Sequence, residues 1–154
     1  MNYWLMKSEP HKFSIDDLKT SEEQKTHWDG VRNYQARNFM RDEMAKKDKV
    51  LFYHSSCDIP GIAGVAEVCS DEPLDDFTAL DKKSNYFDPK SSKEKNRWQM
   101  VQIKFKKKFK QVVALQTLKE FPELSEMRLL QKGNRLSIIP VSKDEFEFIV
   151  SLSK

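Results

Sequence analysis

Arg97-Trp98-Gln99-Met100-Val101-Gln102-Ile103-Lys104-Phe105-Lys106-Lys107-Lys108-Phe109-Lys110 reads as one long strand. Val101, Ile103, Phe105 and Phe109 alternate with Gln102, Lys104, Lys106, Lys108 and Lys110, and Lys107 is the one break. Successive side chains of a strand point to opposite faces, so this pattern predicts one buried face and one row of lysines. Outward from it, Lys49–Ser55 is apolar on both alternating faces and reads as a central strand. Ile62–Cys69 is a further strand, kept slim by Gly61, Ala63, Gly64 and Ala66, which suits sharp curvature or close approach of another backbone or a ligand. Residues 3–7, ending before Pro10, and Leu136–Val141 complete the strands.

Helices lie between and after them. Ser14 with Asp17 forms a capping box, stapled by Phe13 and Leu18. Ala36, Phe39, Met40 and Met44 recur at helical spacing across residues 32–46. Residues 111–120 and 123–132 read as two short helices, the second stopped by Gly133-Asn134. Ser142 with Glu145, and Val141 with Phe146, open a closing helix through about Leu152. Residues 20–30 are polar and loop-like, and 70–97 form a long irregular stretch. No repeat, low-complexity tract or linker interrupts the pattern. The expected fold is a single α+β domain over residues 1–154, a small, curved, mostly antiparallel sheet or barrel with peripheral helices.

Bulk composition narrows function only slightly. With 33% charged and 38% hydrophobic residues the chain describes a soluble globular protein, and a net charge of +3 neither demands nor excludes nucleic acid. Cys57 and Cys69 fit no metal-ligand spacing and suit a reducing compartment. With no basic segment and long apolar run at the start, and no bilayer-spanning stretch, a cytoplasmic protein without a membrane partner is expected. His54, Ser55, Ser56 and Cys57 adjoin, but neighbours on a strand face apart, and no nucleophile elbow is present. His11, His27 and His54 are dispersed without a metal motif, and Gly61 and Gly64 make no phosphate loop. No catalytic residue, metal or cofactor follows from these patterns.

Two aromatic-polar clusters are more informative. Trp4–Pro10 (WLMKSEP) and His27–Gln35 (HWDGVRNYQ) set aromatic rings among amide, hydroxyl and charged groups, with Pro or Gly to stop regular structure. Such rings stack on something flat while the polar groups read its edge, which suggests a nucleobase. Trp98, near the start of a strand, suits the core; Trp28, in a polar loop, suits either core or site. Lys7 and Ser8 end the first strand and Asn33 begins a helix, so all can converge at one end of the sheet; a helix cap explains Asn33 equally well. The lysine row has two readings, a solvated face that blocks edge pairing or a phosphate-tracking surface of Lys104, Lys106 and Lys108, joined by Arg37 and Arg41 if they share its face.

Trp4–Pro10, Trp28–Asn38 (WDGVRNYQARN), Tyr53-His54-Ser55, Gly61–Ala66 (GIAGVA), Tyr86–Ser91 (YFDPKS) and Arg135–Val141 (RLSIIPV) together resemble the EVE domain family of the PUA-like superfamily, which includes the YTH readers of methylated adenine. Phe87 departs from the second Tyr often found in the family. The resemblance implies a PUA-like β-barrel flanked by short helices, with a pocket at its mouth for a modified base in DNA or RNA, methylated or hydroxymethylated cytosine above all. By motif position it assigns Lys7, Ser8, Trp28, Val31, Asn33, His54 and Ser55 to the pocket, with Tyr86, Asp88, Pro89, Lys90, Arg135 and Ser137 at its rim. Lys7-Ser8 and Trp28–Asn33 would be opposite walls and His54-Ser55 the floor. The implied protein is a non-catalytic reader of nucleic acid. The alternatives are a general PUA-type RNA-binding module using the lysine face, and a nucleoside-directed hydrolase using Lys7 and Glu9.

Overall fold

The computed structural model describes residues 1–153. Strands β1 (Tyr3–Ser8), β2 (Lys25–His27), β3 (Lys49–His54), β4 (Gly61–Val68), β5 (Leu74–Asp75), β6 (Gln99–Met100), β7 (Gln102–Ala114) and β8 (Ile138–Val141) alternate with helices α1 (Ile15–Thr20), α2 (Tyr34–Asn38), α3 (Leu115–Leu118) and α4 (Lys143–Leu152). Six strands form one curled half-barrel in the order β2-β7-β4-β3-β1-β8, and β5 and β6 pair separately. All pairs are antiparallel except the central β1–β3, in register from Tyr3 opposite Lys49 to Ser8 opposite His54. Parallel strands end together, so Lys7, Ser8 and Ser55 emerge at one end of the sheet.

The central strands bury both faces, as their unbroken apolar runs require. Trp4 and Met6 of β1 and Val50 and Phe52 of β3 join one core with Ile15 and Leu18 of α1 and Ala36, Phe39 and Met40. The alternate residues Leu5, Leu51 and Tyr53 join a second core with Leu118 of α3 and Ile149 of α4. Both expected capping boxes form, at Ser14 with Asp17 and at Ser142 with Glu145. A Cβ on Gly64 would overlap the Lys107 carbonyl, so the slim start of β4 does admit a close backbone.

Strand β7 departs from a simple alternation. Val65 pairs with Lys107 and Ala66 with Phe105, leaving Lys106 as an extra residue in a bulge. The extra residue reverses which face later side chains occupy. Ile103 and Phe105 pack into the first core, whereas Phe109 and Val113 pack into the second. The lysines are therefore not one row: Lys104 reaches Glu67 of the neighbouring strand, and Lys108 reaches Asp16 of α1.

Other expected elements shift for local reasons. Gly61 and Ile62 keep Ala114 and Val113 in the sheet, which shortens the helix expected over 111–120 to Leu115–Leu118. The second, expected over 123–132, is two single 3-10 turns, Pro122–Leu124 and Arg128–Leu130. Residues 20–30 contain β2, and the helix expected over 32–46 is α2 followed by one π turn, Phe39–Glu43.

Candidate functional site

Three elements meet at the open end of the half-barrel. The ends of β1 and β3 supply Lys7, Ser8 and Ser55, fastened by the Ser55 N–H to the Ser8 carbonyl at 2.9 Å. The Lys7 N–H donates to the Ser137 carbonyl at 2.9 Å, which brings in the segment before β8. The Trp28 N–H donates to the Val101 carbonyl at 2.8 Å, extending β2 inward, and the indole stands edge-on to Phe52 with ring centres 5.6 Å apart. These parts enclose a cavity of about 520 Å³, within the roughly 300–1,000 Å³ of small-molecule sites.

The cavity gathers Lys7, Ser8, Trp28, Val31, Ser55, Tyr86, Arg135 and Ser137 from the sequence-derived set. The indole N–H groups of Trp4 and Trp98 donate to the buried carboxylates of Asp48 and Asp88. Trp28 makes no such bond among the described residues, yet no buried side-chain nitrogen is left without a partner, so its N–H is open to solvent.

Gly30 fixes the rim. Its φ is +77°, and a Cβ there would lie 2.7 Å from the Tyr86 ring, so only glycine lets Tyr86 rest on this turn. Arg32 holds the same arrangement, donating to Asp76 at 3.0 Å and to the Tyr86 carbonyl at 2.7 Å. Burial pushes the Asp76 carboxyl up, but bonds from Thr78, the Gly30 N–H and Arg32 outweigh it and hold it low. On the opposite wall burial pushes the Lys7 ammonium down, and the group lies 5.9 Å from the Tyr53 ring centre. Glu9 lines the cavity too, but its carboxylate is tied to Lys12 at 2.9 Å, and that bond holds it below its ordinary range.

Five sequence-derived residues lie outside the cavity. Asn33 accepts the Ala36 N–H at 3.0 Å and so caps α2. His54 accepts the Ile15 N–H through Nε2 at 3.1 Å, fastening the start of α1 to β3 rather than forming a floor. Asp88 is buried and accepts bonds from the Lys90 N–H, Ser91, Arg97 and Trp98, and neither it nor Pro89 and Lys90 line the cavity. Trp98 in turn stacks on Tyr34 at 4.7 Å, and the Arg37 guanidinium covers Tyr34 at 4.7 Å. Conversely, Phe13, Thr26, His27, Asp29 and Arg32 line the cavity without having been assigned to it from the sequence. His27, Asp29 and Arg32 lay in plain view within the His27–Gln35 segment; Thr26 was hidden by reading β2 as loop.

The expected phosphate-tracking residues are largely engaged elsewhere. Lys104 and Lys108 pair with Glu67 and Asp16, Arg41 pairs with Asp42 at 2.8 Å, and Arg37 donates to the Arg97 carbonyl at 2.7 Å. Lys106 is exposed and in no ion pair among the described residues. A second groove of about 420 Å³ is lined by Asn33, Gln35, Arg128, Lys132, Asn134 and Arg135, with no acidic residue. Arg135 borders both openings.

The sequence profile of the EVE domain matches residues 2–152. The chain belongs to the EVE domain family. Its similarity to thymocyte nuclear protein 1 of mouse is 41% identity over 170 residues, covering 99% of this EVE domain chain and 74% of the relative. A solved structure from Pseudomonas syringae matches at 49% identity with a TM-score of 0.93, over 99% of each chain. A structure of the human THYN1 protein in complex with 5-methylcytosine-containing DNA matches at 40% identity with a TM-score of 0.92, over 100% of this chain and 98% of that one. The curled half-barrel with short helices is thus the fold of EVE domains. No helix among the described residues is long and apolar enough to cross a membrane.

Proposed function

We propose that this EVE domain binds nucleic acid by taking one modified base, of the 5-methylcytosine type, into the Trp28 cavity, and does no chemistry on it. One observation carries this reading. The cavity joins Trp28 to the ends of β1 and β3 in a chain 40% identical, over its whole length, to a protein whose structure contains 5-methylcytosine-containing DNA. Extruding a base from a duplex costs a few kcal/mol, and stacking on an aromatic ring returns ~1–3 kcal/mol, so a single-stranded or mismatched base enters most readily. Burying one methyl contributes only about 0.8 kcal/mol, or about fourfold in affinity. Sharper selection has to come from the polar groups around Trp28, which an ill-fitting base would leave unpartnered.

Replacing Trp28 by Leu, which keeps apolar filling but removes the flat ring, is expected to lower affinity for a 5-methylcytosine oligonucleotide by about tenfold while the fold survives. Trp28→Ala is expected to abolish the preference over plain cytosine as well. Binding equal to the parent in both variants would refute the reading.

The acid-free groove beside the cavity favours a second reading, a strand binder indifferent to modification. It predicts steep salt dependence and equal affinity for modified and plain strands. The hydrolytic alternative is weaker, because Lys12 holds Glu9 below its ordinary range, which makes it a poor general base.

A further inference from the structure

We propose that Asp29 reads the exocyclic amine of the base, so that the cavity accepts an amino-bearing pyrimidine and refuses its oxo counterpart. This rests on the base-binding reading above and names the chemical class the site takes. Thymine is the competitor that matters: it carries the same kind of ring methyl as 5-methylcytosine and differs at position 4, where an oxygen acceptor replaces the amine donor, and at the adjoining ring nitrogen, where an N–H replaces an acceptor. Neither stacking on Trp28 nor methyl burial separates the two. A hydrogen-bonding group at that edge has to.

Glu9, the other carboxylate that lines the cavity, is already committed, as are two of the cavity's hydrogen-bond donors. Arg32 is held by Asp76 and the Tyr86 carbonyl, the Ser8 hydroxyl donates to the Phe13 carbonyl at 2.5 Å, and Glu9 pairs with Lys12. Asp29 is different. It follows Trp28 directly in the chain, lines the cavity and is half-buried. Its carboxylate accepts no hydrogen bond and joins no ion pair among the described residues. Burial and the nearby Asp76 charge push this carboxyl up, against His27 and Arg32. A half-buried acceptor with no donor from the protein is complementary to a ligand N–H, and a carboxylate is the side chain that accepts from the amine of cytosine. A base with oxygen at the same position would set lone pairs against lone pairs.

The test is fluorescence anisotropy on three single-stranded oligonucleotides that differ at one position, carrying 5-methylcytosine, cytosine or thymine. The parent is expected to prefer 5-methylcytosine over thymine by about tenfold or more. The near-isosteric Asp29→Asn, whose amide N–H can donate to the thymine oxygen, is expected to bring that ratio to one or below while leaving the ratio of 5-methylcytosine to cytosine near the parent's. Asp29→Ala should lose the amine preference without gaining affinity for thymine, and matching melting temperatures show that each variant is folded. A parent-like ratio of 5-methylcytosine to thymine in Asp29→Asn overturns the role of Asp29 and leaves methyl reading standing. A parent that holds both cytosines equally, over thymine, through Asp29 supports the inference and removes methyl reading instead. A parent that binds none of the three refutes both.

Discussion

Asp88 shows how a residue in a conspicuous motif can serve the scaffold rather than the ligand. Burial pushes its carboxyl up, but bonds from the Lys90 N–H, Ser91, Arg97 and Trp98 outweigh this and hold it well below the usual carboxylate range. Because the folded state favours the charged form, Asp88 stabilises the fold above the ordinary carboxylate value of about 4 and loses that contribution as the pH falls below it. Asp88→Asn is therefore expected to cost about 1–3 kcal/mol at neutral pH and to flatten the acid limb of stability. Urea denaturation at pH 7 and below pH 4 checks both, and an acid limb as steep in the variant as in the parent would count against the assignment. In sequence, Asp88 and Trp28 looked alike, each a polar or aromatic residue within a recognisable motif. What separates them is whether their hydrogen bonds are spent inside the protein, which only coordinates reveal.

At the scale of elements, the parallel pair β1–β3 makes the site by ending Lys7-Ser8 and Ser55 side by side. That convergence was readable, because strand ends and their motifs are local features. Facing was not. His54 precedes Ser55 by one residue on a pleated strand and so points elsewhere, onto the start of α1. His54→Ala is expected to cost about 1 kcal/mol through the lost acceptor, with oligonucleotide affinity within twofold of the parent. A larger loss of affinity at unchanged stability would return His54 to the site. The bulge at Lys106 teaches the same lesson on β7. The broken alternation at Lys107 was visible, but its consequence, sending Phe109 into the second core and dividing the lysines between two faces, depended on the register with β4.

Over the whole molecule, tertiary structure, and not any run of lysines, gathers the basic residues of the second groove. Arg128 and Lys132 come from the segment between α3 and β8 that the sequence marked only as helix and stop, yet with Arg135, expected at the rim, they line an acid-free groove that meets the cavity at Arg135. If a strand's phosphates follow this groove, the double variant Arg128→Gln/Lys132→Gln lowers affinity for modified and plain strands alike and reduces the slope of log affinity against log salt by about 2. Neutralising Lys104 and Lys108, whose charges are answered by Glu67 and Asp16, leaves that slope unchanged. The opposite pattern would restore β7 as the phosphate surface.

Entry of the base beside Trp28 can be watched directly, because the three tryptophans supply their own probe. The indole N–H groups of Trp4 and Trp98 are bound to Asp48 and Asp88, whereas that of Trp28 is open. In a nitrogen–proton correlation spectrum titrated with a single-stranded 5-methylcytosine oligonucleotide, the Trp28 indole signal should shift and saturate with binding while the other two stay nearly still. The matching cytosine oligonucleotide should produce the same shift only at higher concentration. An oligonucleotide that binds while the Trp28 signal stays in place would show that the base enters elsewhere.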